Sequence, residues 1–187
     1  MIQAVSQQVN AGGLLTINGL EFNVVQPLDF LLADYGLEGF GVTANLTIVD
    51  QKGSGAAPAI ATGISPYTYN VTAYYDHGGF SARVSYVFND KQVASGSNQN
   101  GICLPNTTNS TCPGGAYLYN QAYGQLDFSS SLRLGSVFGD IFSDPELTFD
   151  VQNITKSKLS TYFQYPEANY SYYNQGTTFL IGLRGSF

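Results

Sequence analysis

Charge is what this sequence has least of. Asp, Glu, Lys and Arg make up 11% of the 187 residues, against roughly a quarter in ordinary globular proteins. Disorder calls for high charge and few aromatics, whereas 14 Tyr and 12 Phe bring the aromatic share here to 14%. The chain is expected to fold, and to show apolar surface somewhere. Long apolar runs are missing as well. No stretch approaches the ~18 residues that a transmembrane helix needs, so a membrane role would have to use a barrel. Basic residues number only seven, scattered over a chain of net charge −6. That makes no phosphate-binding patch and speaks against nucleic acid as a partner.

Histidine and cysteine are equally scarce, with one His and two Cys. His77 lies in "DHGG" beside Asp76, where a solvated turn residue is expected rather than a general base. "GLEGFG" has the wrong spacing for a dinucleotide fingerprint, and no helix or basic group follows it. No catalytic constellation results, and an enzyme is not expected. Cys103 and Cys112 sit in "NGICLPNTTNSTCPGG", a loop-like stretch, and so close a pair reads as a local disulfide in an oxidising compartment. Half of a metal site is the poorer alternative, because further ligands are lacking. The N-terminal "MIQAVSQQVNAGG" has neither the basic nor the apolar part of a secretory signal. Either a signal was removed or, as expected here, the sequence is the back half of something longer. Six N-x-S/T sequons, including Asn106 and Asn109, could suggest a glycoprotein. In a chain so rich in Asn, Ser and Thr most arise by chance.

What the sequence does have is alternation at period two, the mark of strands. About seven are expected. The first runs from about Thr16 to Val25. "PLDFLLADYG" follows with some helical character, ended by its glycine. "GFGVTANLTIVD" sets Phe40, Val42, Ala44, Leu46 and Ile48 on one face, before a loop from about Lys52 to Pro66. "YTYNVTAYYDHGGFSARVSYVFND" is a hairpin turned by "DHGG", since glycines supply the positive φ of short hairpins. A loop of roughly thirty residues then carries both cysteines, and "GQLDFSSSLRL" and "ELTFDVQNI" are strands five and six. After a Tyr-rich loop, "TTFLIGLRGSF" alternates Phe179, Ile181 and Leu183 with smaller residues and ends on Phe187.

Two folds explain such alternation. In a soluble sandwich the apolar face points inward; in an outer-membrane barrel it meets lipid and the polar face lines the lumen. Several of these strands are near the 9–11 residues that cross a bilayer at a tilt. Aromatics gather at strand ends, as in interfacial girdles. Connections alternate between short and long, like periplasmic turns and extracellular loops. These features favour an all-β, antiparallel, up-and-down transmembrane barrel segment. A complete small barrel or sandwich, acting as a surface-binding or adhesion module, is the alternative.

The residues also resemble a known family. "NAGGLLTINGLEF", "GLEGFGVTANLTIVD", "PYTYNVTAYYDHGGFSARVSYVF", "LTFDVQNITKSK" and "GTTFLIGLRGSF" are similar, in this order, to segments of the C-terminal barrel of TonB-dependent outer-membrane receptors. The likeness is to the often sugar-associated branch of Xanthomonas and Caulobacter relatives, and covers nearly all of residues 1–187 except the cysteine loop. Leu46 stands where that branch usually has Tyr. The resemblance implies a location in the outer membrane of a Gram-negative bacterium and uptake of a nutrient, an oligosaccharide before a siderophore, without a bound cofactor. Its implied partners are lipid, a plug domain and the remaining barrel strands, the TonB complex, the barrel-assembly machinery and the extracellular ligand. Phe179, Ile181, Leu183 and Phe187 resemble the signal which that machinery reads. An odd count near seven cannot close as a typical bacterial barrel, which has even strand numbers, so an incomplete barrel is expected.

Functional candidates follow. Tyr faces stack on sugars and their hydroxyls donate hydrogen bonds, which singles out Tyr117, Tyr119, Tyr162, Tyr165, Tyr170, Tyr172 and Tyr173. Girdle formation and loop packing are the plainer use of the same rings. Arg83, Asp127, Arg133, Asp150 and Arg184 are expected to face the lumen, paired with one another or with the plug, or guiding substrate. If Phe187 ends at the periplasmic rim, loops at about 51–66, 92–121 and 155–174 are extracellular. "PLDFLLADYG", "DHGG" and about 135–145 are then periplasmic.

Overall fold

The computed structural model describes residues 13–55, 60–94, 118–139, 145–163, 166–167 and 169–185. Seven strands form one antiparallel sheet: β1 (Gly13–Pro27), β2 (Phe40–Gly55), β3 (Tyr67–His77), β4 (Phe80–Asn89), β7 (Tyr123–Arg133), β8 (Glu146–Gln152) and β11 (Thr178–Arg184). They lie side by side in chain order, with β1 and β11 at the two edges. The fold is all-β and up-and-down, and the sheet is open. All seven strands coincide with stretches of alternating sequence. β2 runs on to Gly55, paired with Gly13, where a loop is expected from Lys52.

Ladder partners send their side chains to the same face, so the register sorts the whole sheet. One row across it reads Val42, Ala73, Val84, Phe128, Val151 and Phe179. The adjacent row reads Thr43, Thr72, Ser85 and Asp127. Apolar and polar rows keep to opposite faces over most of the sheet. Strand β1 departs from this, with Leu15, Ile17 and Val25 on the polar side. Hydroxyl pairs tie the polar face, Thr72 to Ser85 at 2.8 Å and Ser81 to Ser131 at 2.8 Å. Gly41 is there because the Tyr74 ring lies across it; a Cβ would meet that ring at 2.2 Å.

The β1–β2, β3–β4 and β7–β8 connections gather at one end. Between β1 and β2, α1 (Asp29–Leu32) and a 3₁₀ turn (Ala33–Tyr35) are closed by Gly36 at φ 71. Asp29 accepts the Gly39 N–H at 2.7 Å, which pins this connection to the start of β2. The β3–β4 turn is Gly78-Gly79 alone, at φ 61 and 84, the two left-handed positions of a type I′ hairpin. His77 is therefore the last residue of β3, opposite Phe80, rather than part of the turn. After β7 comes α2 (Gly135–Phe138). No helix among the described residues is long and apolar enough to cross a membrane, which says nothing of strands.

The other connections gather at the opposite end, where those after β4 and β8 form a second sheet that the alternation does not announce. It has the order β10 (Asn169–Tyr173), β9 (Leu159–Tyr162), β6 (Tyr119–Asn120), β5 (Gln92–Val93). The Tyr-rich stretch is thus a strand pair, not a loop, with β9 and β10 antiparallel and a bulge between Asn169 and Ser171. The buried hydrophobic residues among those described are Val93, Tyr162 and Phe163, all at this end. The large sheet has no comparable core. On its apolar face Leu20, Phe22, Val71, Val84, Phe149 and Ile181 are all exposed.

Candidate functional site

Asn153 organises the loop end. It follows β8, has φ 56, and is 2% exposed. Asparagine tolerates this left-handed conformation better than most residues. Its Nδ2 donates to the Ser157 and Gly176 carbonyls at 3.0 and 2.8 Å, and its Oδ1 accepts the Ser157 N–H at 2.8 Å. The Asn153 N–H donates to Asp127 at 2.8 Å, and Thr177 donates to the Asn153 carbonyl at 3.0 Å. One residue, through its backbone and side chain together, thereby fixes the turn after β8 and the start of β11 against β7. Its carboxamide is fully engaged, so the sequon at Asn153 is structural in the folded chain.

From there a polar ladder climbs the polar face. Gln125 donates to both Asp127 oxygens at 2.7 and 2.9 Å, and Tyr123 donates to Gln125. Gln175 donates to the Tyr123 hydroxyl at 2.9 Å and to Gln125 at 3.2 Å. Tyr123 is thus held upright at the rim. Two clefts flank it. The larger, about 580 Å³, is lined by Asn89, Asp90, Gln92, Asn120, Thr161 and Tyr173 among others. Carboxamides, hydroxyls, one carboxylate and a ring edge make this wall mostly neutral and rich in donors and acceptors. Gln121 and Ser160 are bonded to each other and line both clefts. The smaller, about 340 Å³, lies between Tyr123, Lys156, Lys158, Asn169 and Tyr172. Both volumes fall in the range of small-molecule sites, ~300–1,000 Å³.

The candidate tyrosines divide by task. Tyr173 lines the larger cleft and Tyr172 the smaller. Tyr162 is 5% exposed and stacks on Tyr119 at 5.4 Å, so its ring face is spent on packing. Tyr170 packs edge-on against Phe163 at 5.0 Å. Tyr117 and Tyr165 lie outside the described residues, as do Cys103, Cys112 and Phe187. Tyr123, Gln121 and Asn153 are not singled out by the sequence reading.

The five expected lumen charges do share one face. Arg83 pairs in register with Tyr74 and Ser129, and Ser129 with Asp150, which accepts its hydroxyl at 2.5 Å. Asp127, Arg133 and Arg184 belong to the same face. Glu146 joins them unforeseen, opposite both Arg133 and Arg184, and bridges to Arg184 in the one salt bridge among the described residues. Exposed pairs of this kind contribute little. Arg184→Gln should therefore leave the denaturant midpoint unresolved from the parent; a clear drop would show the bridge to be structural. Phe179, Ile181 and Leu183 line the opposite, apolar face of the edge strand, each more than two-thirds exposed.

No family model, no curated protein and no solved structure matches this chain.

Proposed function

We propose that this chain forms part of a β-barrel in the outer membrane of a Gram-negative bacterium, the C-terminal portion of a receptor for active nutrient uptake. The observation that carries this reading is the exposed apolar face of the large sheet. In a sandwich that face would be covered, yet its side chains stand open while the buried hydrophobic residues lie elsewhere. Aromatics mark both ends of the face. Phe40, Tyr75 and Phe80 cluster at the short-turn end, with ring centroids 4.6 and 6.0 Å apart. Tyr69, Tyr86 and Phe88 cluster at the loop end, at 5.1 and 6.0 Å. From Tyr67 to Tyr75 the strand rises about 27 Å at ~3.4 Å per residue. Tilted by ~40°, that is about 21 Å of height, near the ~25 Å apolar band of outer-membrane barrels.

On this reading the polar face looks into the lumen, where a plug domain would meet Arg83, Asp150 and their neighbours. The clefts at the loop end open to the cell surface and take the ligand, an oligosaccharide before a siderophore. The protein binds and passes its ligand without making or breaking bonds in it. Energy would come from the TonB complex, and insertion from the barrel-assembly machinery acting on β11.

Topology gives the test. On whole Gram-negative cells, an epitope inserted at Asn109, between β5 and β6, should bind an impermeant antibody, while one at Gly78 should react only after the outer membrane is opened. The reverse labelling, or a chain that fractionates away from outer membranes, overturns the assignment.

A further inference from the structure

Lysine and arginine are rare in this chain, seven in 187 residues, yet two of them line the same small cleft. Lys156 and Lys158 both border the 340 Å³ space beside Tyr123, together with the Ser157 and Ser160 side chains, and no carboxylate among the described residues lines it. The clustering is built by the Asn153 turn. Lys156 takes a left-handed conformation, φ 55, and its N–H donates to the Asn153 carbonyl at 3.0 Å. Lys158 follows two residues on, its Nζ 5.4 Å from the centre of the Tyr172 ring. A cation over a ring face is attracted by the ring's quadrupole, so one ammonium has a preferred place while the half-exposed Tyr172 ring keeps surface to offer.

The larger cleft next door has the opposite character, with Asp90 among carboxamides and hydroxyls. Gln121, Tyr123 and Ser160 belong to both. A ligand crossing this shared wall would meet a neutral polyhydroxyl-binding surface on one side and two cations with an aromatic platform on the other. The net charge of −6 works against anions over the chain as a whole, so the cationic cleft is a local exception to the field around it.

Resting on the receptor reading above, we infer that the ligand is an acidic oligosaccharide, and that Lys156 and Lys158 hold its anionic group while Tyr172 and Tyr173 take the flanking sugar faces. The anion is a carboxylate, as in a uronic acid, or a sulfate ester; either meets the two ammonium groups in the same way.

Calorimetric titration of the full chain in detergent micelles tests this with four probes: an oligogalacturonide, a sulfated galacto-oligosaccharide, a neutral galacto-oligosaccharide of equal length, and citrate. At least one acidic saccharide should bind tenfold or more tighter than the neutral one, with an affinity that falls as salt rises. Which of the two does so identifies the anion. The variant Lys156→Asn/Lys158→Gln keeps a residue suited to the left-handed position and removes both charges. It should abolish the preference for the acidic saccharide over the neutral one. Equal affinity for acidic and neutral saccharides, an unchanged preference in the variant, or citrate binding as tightly as the acidic saccharides overturns the inference. Binding of no saccharide at all also overturns it. The membrane assignment is read separately, by fractionation and epitope labelling, and stands or falls on those.

Discussion

Val84→Arg should cripple insertion of the chain into a bilayer, and Ser85→Arg, one residue along, should be tolerated. The two positions sit side by side in the middle of β4 but belong to opposite faces. Val84 lies in register with Ala73 and Phe128 on the apolar side, and Ser85 with Thr72 and Asp127 on the polar side. Val84 is 42% exposed although every strand neighbour in its row is apolar. If lipid covers that face, an arginine there costs about 2–4 kcal/mol near the bilayer midplane. Arginine at 85 instead enters the row that already holds Asp127 and loses little. Refolding yield of the intact receptor into vesicles, followed by protease protection, reads both. Equal behaviour of the two variants would show that the faces are assigned wrongly or that no bilayer covers either one.

Asn153→Ala should be the most damaging single change at the loop end. The alanine keeps none of the four side-chain hydrogen bonds and leaves the Ser157 N–H and the Gly176 carbonyl without that partner. Buried polar groups stranded in this way cost about 1–3 kcal/mol, and a left-handed alanine adds ~1 kcal/mol of strain. A total of about 2–4 kcal/mol is expected in denaturant unfolding. Asn153→Gly, which relieves the strain but not the lost bonds, should fall between parent and alanine. Identical midpoints for parent and alanine would show that the turn is held by its neighbours instead.

Seven strands were legible because most satisfy a single local rule, apolar and polar side chains alternating along the strand, with β1 keeping to it only from Leu20 to Val24. The turn at Gly78-Gly79 was legible for a similar reason, as only glycine takes two successive left-handed positions at little cost. The second sheet obeys no such rule. Strands β5 and β6 are two-residue pairings, too short to show a period, and β10 is "NYSYY", polar or aromatic at every position. Their pairing is decided by where the large sheet sets down its ends, which no local window contains. Glu146 is the first residue of a strand that the sequence does show, but its partners Arg133 and Arg184 lie on other strands, and only the register brings them opposite it. Asn153 looked like one sequon among six. Its distinction is geometric, a positive φ and a buried carboxamide, and appears only when the strands on either side are in place. The tyrosines were readable as a group, but composition could not separate Tyr162, which packs, from Tyr172 and Tyr173, which line open space.

The order in which strands meet has a consequence for how the molecule comes together. Contacts close in sequence form fastest, because little chain entropy is lost in closing them. In the large sheet β1–β2, β2–β3, β3–β4 and β7–β8 are all successive, with only two residues spanning the tightest of them. The loop-end sheet is different: β6 must find β9 with the whole of β7 and β8 between them. That meeting becomes short-range only once the β7–β8 hairpin has folded and carried both segments to one rim. The two clefts are therefore late products of assembly. A chain that misfolds after the large sheet has formed would have the complete apolar face and its aromatic clusters, yet lack both clefts.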